Sequence, residues 1–176
     1  DMNQIKHHLT DALLMGYSAG TLPEAFNLVV ATHISLCDEC RARLGAFEAV
    51  GGALLEETEA TELSLELDSV LAAIDAAPAQ QAAPTRDPGV FPTALQDYVG
   101  GDLEAVKWRP VGMGVKQAIL KASDSATVRL LRIPAGSAMP DHGHHGTELT
   151  PVRKGAFKDE DDRFARGDIE IATEAD

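Results

Sequence analysis

The chain has 176 residues, 44% of them apolar and 24% charged, which is ordinary for a globular protein of one domain or two small ones. Its net charge of −13 argues against a nucleic-acid binder, which needs clustered Lys and Arg to neutralise phosphates. No stretch approaches the ~18 apolar residues of a membrane-spanning helix, and no signal peptide opens the chain, so we expect a cytoplasmic protein.

The first 76 residues show helical periodicity. Thr10 suits the N-cap of a first helix and Gly20 its end. A second helix is expected over about 23–36, with Phe26, Val29, Val30, His33 and Cys37 on one side. A third is expected over about 38–57. A fourth has acidic residues on one side and an apolar stripe on the other: Leu63, Leu67, Val70, Leu71 and Ile74.

The pattern changes after a stretch rich in Ala, Pro and Gln, which we interpret as a linker over residues 77–90. Beyond it, short alternating runs separated by turns predict strands at 115–120, 127–133, 149–153, 156–158 and 168–172. Many short strands favour an antiparallel sandwich or small barrel. The predicted fold class is therefore α + β in two domains, a helical domain over 1–76 and a β domain over 91–176.

A possible metal site lies in the helical region, where His33, Cys37 and Cys40 form an H-x3-C-x2-C pattern. Positions four apart stack on one helix face, which brings His33 beside Cys37. Zn²⁺ favours four tetrahedral N and S ligands, and His7 or His8 can supply the fourth if the first helix folds back. The ion would then join helices that bury little apolar surface. The alternatives are a redox pair of cysteines and two plain buried cysteines.

A second metal pattern lies in the β region, at His142, His144 and Glu148. Alternate residues of a strand face the same way, so both histidines can point inward. The mixed nitrogen and oxygen set suits Zn, Fe, Mn or Ni. The alternative is a solvated His-Gly loop that binds nothing.

The amino-terminal pattern resembles the zinc-binding anti-sigma domain, in which a distant His precedes H-x3-C-x2-C. The resemblance implies that His8, His33, Cys37 and Cys40 hold a structural zinc within about four helices. It also implies that the module wraps an extracytoplasmic-function sigma factor, with the helix around 63–74 packing separately against that partner. Residues 1–76 hold 13 acidic and 3 basic residues, a balance that suits a basic partner.

The second pattern, from Gly136 through His142, His144 and Glu148 to Gly155, resembles the first cupin motif. Residues 164–168 resemble the turn of the second cupin motif. The fourth cupin ligand, a histidine on a later strand, is absent, because no histidine follows His145. We therefore expect an antiparallel β cupin domain whose last strands are missing, with zinc or another divalent metal.

A zinc anti-sigma domain followed by a cupin domain resembles the ChrR-type anti-sigma factors. This resemblance implies a regulator, not an enzyme, that inhibits its sigma factor and releases it under singlet-oxygen or related oxidative stress sensed by the cupin domain. It implies no direct contact with nucleic acid or membrane. The alternative is a metal-dependent cupin enzyme, a dioxygenase or isomerase, with a helical oligomerisation module, although no candidate general base stands out.

Overall fold

The computed structural model describes residues 5–62, 64–78, 88–122, 126–137, 146–158 and 162–172. Within these ranges, helices occupy the amino-terminal part and antiparallel strands the rest. The helices are α1 (Asp11–Ser18), α2 (Glu24–Ile34), α3 (Asp38–Glu56), α4 (Leu67–Ala76) and α5 (Thr93–Val99). The strands are β1 (Arg109–Gly112), β2 (Val115–Ala122), β3 (Thr127–Arg132), β4 (Glu148–Pro151), β5 (Ala156–Lys158), β6 (Arg163–Ala165) and β7 (Ile169–Ala172).

The first three helices begin and end close to where the sequence predicts. The hydroxyl of Thr10 caps α1 by accepting the Leu13 N–H at 3.3 Å. Beyond the end of α1, Gly20 adopts a left-handed φ of 67°, which glycine takes without steric cost. The Cys37 sulfur caps α3 by accepting the Cys40 N–H at 3.4 Å. The predicted α + β fold with a helical amino-terminal region is confirmed.

Three short elements differ from the sequence prediction. The helix α5 was not predicted; it begins after Pro92 and ends at Gly100, where φ is 82°. The strand β1 was also missed, and it forms a hairpin with β2. The stretch 164–168 was expected to be only a turn, but β6 occupies its first part and pairs with β5.

The strands within the described ranges form three antiparallel units. The first is a sheet in the order β1-β2-β3, the second pairs β4 with β7, and the third pairs β5 with β6. The turn from β6 to β7 contains Gly167, with a φ of 96°, and Asp168, which is buried. This turn lies against the amino-terminal segment, residues 5–9, and so takes part in the site described below.

The helix α2 packs on both sides rather than along one apolar stripe. The stripe predicted from the sequence put Phe26 with Val30, but the structure divides the two. Val30 belongs to the helical core, which also contains Leu9, Leu14, Cys37, Cys40, Leu44 and, from β7, Ile169. Phe26 packs against the β core, formed by Ala25, Leu28, Phe91, Leu95, Val106, Ala118 and Val128. The helical and β regions are therefore in direct contact through α2 and β7.

The helix α4 stands apart from both cores, since it has no buried residue. Residues 79–87 of the expected linker lie outside the described residues, so the predicted limits of the two domains stay a prediction. Among the described helices, none has the length and apolar character required to cross a membrane.

Candidate metal centre

Three side chains of the centre come from the junction between α2 and α3. His33 lies in the last turn of α2, and its carbonyl accepts the Cys37 N–H at 3.0 Å, so the turn continues beyond the helix end. Cys37 then caps α3, and Cys40 follows one turn into that helix. All three side chains are almost fully buried, with exposed fractions of 2% or less. The local H-x3-C-x2-C spacing thus converges on one buried point.

The fourth side chain, His8, reaches this point from the segment before α1. Its Nδ1 lies 3.3 Å from the Cys37 sulfur and 3.7 Å from the Cys40 sulfur. One ligand atom from each of His8, His33, Cys37 and Cys40 lies within 4.8 Å of the others, so the group could hold a metal ion. The other ring nitrogen of His8 is 3.3 Å from a carboxylate oxygen of Glu39.

The donor set fits zinc in both spacing and chemistry. Tetrahedral zinc with bonds of about 2.0 Å to nitrogen and 2.3 Å to sulfur places its N and S ligands about 3.5 Å apart, close to both His8–cysteine distances. Among the described residues, neither buried ring nitrogen of His33 has a hydrogen bond of good geometry, although the Gly167 backbone lies near enough to affect the pKa of the ring. This arrangement is costly unless another atom binds one of the nitrogens. A metal-bound histidine usually donates its other ring N–H to a carboxylate, which fixes the orientation of the ring, and Glu39 is placed to do this for His8.

The protonation of the buried ligands also suits a metal. Burial lowers the pKa of His33 to about 4, so at neutral pH the ring is uncharged and has a free lone pair. Burial raises the pKa of the Cys40 thiol to about 11, and the nearby Cys37 contributes to the rise. Without a metal Cys40 is therefore a protonated thiol, and an incoming ion must displace its proton. A high pKa also disfavours the alternative of a reactive redox thiol.

His7, the other candidate for the fourth ligand, points away from the cluster. Its Nε2 lies 2.9 Å from a carboxylate oxygen of Asp162, and its ring lies against Phe164 with centroids 4.3 Å apart. The geometry therefore favours His8 over His7, a choice that the sequence left open.

Two residues that support the centre were missed by the sequence analysis. Arg43 donates a hydrogen bond at 3.1 Å to the carbonyl of Leu9 and pairs with Asp11, so it ties α3 to the segment that carries His8. Glu39 lies beside the His8 ring and, in sequence, between Cys37 and Cys40. That position between two ligands could have identified it as a supporting residue. No local pattern marked Arg43, because its partners lie about 30 residues away.

The second metal pattern is only partly described by the structure. Glu148 is exposed at the start of β4, where its carboxylate accepts a hydrogen bond from Thr150 at 3.4 Å. His142 and His144 lie outside the described residues. The cupin metal site therefore stays a prediction.

Similarity to known proteins agrees with this architecture. Residues 96–174 match the family described as "ChrR Cupin-like domain". The chain is 60% identical over 171 residues to the "Anti-sigma-E factor ChrR" of Cereibacter sphaeroides, covering 96% of this chain and 79% of that protein. It is also similar to a solved structure described as Rhodobacter sphaeroides SigE in complex with the anti-sigma ChrR. The TM-score is 0.82 at 58% identity, covering 97% of this chain and 88% of that one. With this identity along nearly its whole length, the chain belongs to the family of ChrR anti-sigma factors.

Proposed function

We propose that the chain binds an extracytoplasmic-function sigma factor and keeps it from RNA polymerase. The observation that carries this proposal is the similarity, over 97% of the chain, to a ChrR structure described as being in complex with a sigma factor. The chain belongs to an anti-sigma factor family, so it is a regulator. This favours sigma-factor binding over the alternative function, a metal-dependent cupin enzyme.

Zinc, held by His8, His33, Cys37 and Cys40, has a structural role in this proposal. Four protein ligands complete a tetrahedral shell and leave no open position for a substrate. The ion would fix the amino-terminal segment to the junction of α2 and α3. Since its ligands come from two separate stretches of chain, the segment before α1 and the α2–α3 junction, binding stabilises the folded helical region against the unfolded one.

The sigma factor would be bound by the exposed apolar residues at the end of α3 and on α4. In α4, Leu67, Leu71 and Ile74 are 50–68% exposed and recur four and three residues apart, which places them on one face. Near the end of α3, Leu54 and Leu55 are 63% and 74% exposed. Exposed apolar stripes of this kind mark interaction surfaces. Around them, the acidic balance of residues 1–76 would attract a basic partner and speed its association.

The cupin-like region would act as the sensor that ends inhibition. Residues 96–174 match a cupin-like family, and His142, His144 and Glu148 are the residues that would bind zinc or another divalent metal there. Singlet oxygen or a related oxidative stress would act on this region and release the sigma factor. The protein would act in the cytoplasm, where sigma factors meet RNA polymerase.

Transcription in a purified system tests inhibition directly. RNA polymerase with an extracytoplasmic-function sigma factor from the same organism should initiate at its promoter, and adding an equimolar amount of the chain should suppress that transcript. Transcription from a promoter of the housekeeping sigma factor serves as the control and should not change. Undiminished transcription with excess chain would contradict the proposed function.

A further inference from the structure

We infer that Asp168, in the turn between β6 and β7, is a positioning residue for the metal centre of the helical region. It holds the main chain immediately before His8 and so makes the β region part of that centre. The inference rests on the proposed zinc binding by the cluster, and it adds a physical connection between the sensor region and the zinc.

The carboxylate of Asp168 joins the amino-terminal segment to the β6–β7 turn. Its Oδ1 accepts the N–H groups of Lys6 and His7 at 2.6 and 3.0 Å, across more than 160 residues of sequence. Its Oδ2 accepts the N–H of Ala165 at 2.8 Å, within its own turn, and lies 3.5 Å from the His7 Nδ1. A residue that served only to form the turn would need the contact with Ala165 alone, so the contacts with Lys6 and His7 call for another explanation.

The carboxylate is buried, and only its hydrogen bonds make that position favourable. Asp168 is 2% exposed. Burial by itself opposes ionisation, but the N–H groups of Ala165, His7 and Lys6 outweigh it and hold the pKa of Asp168 below its ordinary value. Hydrogen bonds to an ionised acceptor are about twice as strong as neutral ones, so Asp168 holds the main chain of the amino-terminal segment firmly in place.

The surrounding packing fixes the same segment. The side chain of Ile5 lies so close to Gly167 that a Cβ on that glycine would be 2.6 Å from the Ile5 Cδ1 atom. On the other side of the turn, Ile169 is 2% exposed and belongs to the helical core. These contacts hold the β6–β7 turn in place against the amino-terminal segment.

The location of these hydrogen bonds determines which zinc ligand they affect. Lys6 and His7 directly precede His8, whose Nδ1 lies 3.3 and 3.7 Å from the two cysteine sulfurs and must stay close to these distances to share a tetrahedral ion with them. If the main chain at Lys6 and His7 were released, His8 would be the ligand most easily lost from zinc, because the other three ligands come from one helical junction.

The rate at which the folded full-length chain gives up zinc to an excess of a chromogenic chelator tests this inference. Asp168→Ala should release zinc about 10-fold faster than the wild type, the effect typical of losing a supporting contact around a metal ligand. The amides of Lys6 and His7 should also lose their protection from hydrogen exchange. Asp168→Asn keeps an acceptor but places N–H groups toward Ala165, so it should show a smaller effect in the same direction; it replaces the alanine variant if that variant does not fold.

Asp162→Asn is the matched control. Asp162 pairs with the exposed edge of the His7 ring and accepts the N–H of its neighbour Arg163, whereas the N–H groups of Lys6 and His7 bond to Asp168. Zinc release from Asp162→Asn should therefore change by less than about two-fold. The inference is overturned if release from the Asp168 variants equals that of the wild type, or if Asp162→Asn releases zinc as fast as Asp168→Ala. A wild-type chain that holds no zinc would overturn both this inference and the proposed centre, whereas unchanged release from a zinc-loaded Asp168 variant would overturn the inference alone.

Discussion

Two neighbouring histidines in the amino-terminal segment have different surroundings. His8 faces the two cysteines, whereas His7 faces the β region at Asp162 and Phe164. The two rings therefore lie on different sides of the segment, and of the two only His8 reaches the cluster. The sequence predicts the cluster from its local H-x3-C-x2-C spacing. It does not decide between the histidines, since that choice depends on which side of the segment the helices cover.

Replacing each histidine in turn tests this assignment. If four ligands share about 12 kcal/mol of zinc binding equally, His8→Gln should cost about 3 kcal/mol, or roughly 100-fold in zinc affinity. His7→Gln, its matched control, should leave zinc affinity within about three-fold of the wild type. Competition with a chelator of known affinity measures both, and equal losses in the two variants would contradict the assignment.

Gly167 offers a second prediction at the residue scale. Gly167→Ala puts a methyl group into Ile5 at a φ of 96°, so both strain and displacement apply, and we expect a loss of about 2–4 kcal/mol in the free energy of unfolding. Gly155 has a φ of 81°, but no atom of the described residues lies within 4 Å of an added Cβ, so Gly155→Ala should cost only about 1–2 kcal/mol. Urea denaturation compares the two, and an equal loss would mean that Ile5 does not pack on this turn.

Among the helices and strands, the sequence predicts those that are long enough to show a period or that have clear capping residues. The helices α1 to α3 were predicted because caps and periodicity agree along their length. The missed helix α5 has only 7 residues, too few for an apolar period to show. The missed strand β1 has 4 residues and contains Pro110, which argues against a strand except at a sheet edge. Pro92 and Gly100 were the available signals for α5.

The exposed apolar face of α4 allows a test of where the sigma factor binds. Leu71 is 50% exposed on the apolar face, and burying it against a partner would contribute about 1.5–3 kcal/mol. Leu71→Lys should therefore weaken binding of the sigma factor at least about 10-fold without lowering the thermal midpoint of the free chain. Ala73→Lys introduces the same charge on the opposite face and should bind almost normally. Calorimetric titration with the sigma factor measures both, and equal weakening would indicate a general effect of charge instead of a binding face.

At the scale of the whole molecule, the contacts between the two regions could not be predicted. Phe26 and Val30 occupy one predicted stripe of α2, yet they pack into different cores. The hydrogen bonds from Lys6 and His7 to Asp168 join parts of the chain with no local pattern in common. Periodicity identifies an apolar face but not the element that covers it, which is why the sequence predicts the two regions and not their contact.

We propose that one zinc ion, held by His8, His33, Cys37 and Cys40, gives the helical region the shape that binds a sigma factor. Native mass spectrometry of the full chain mixed with the sigma factor measures zinc content and complex formation together. We predict a one-to-one complex with the wild type, and for Cys37→Ser/Cys40→Ser a chain that carries one zinc fewer and forms no complex. A double variant that lacks this zinc and still forms the complex as completely as the wild type would contradict the claim.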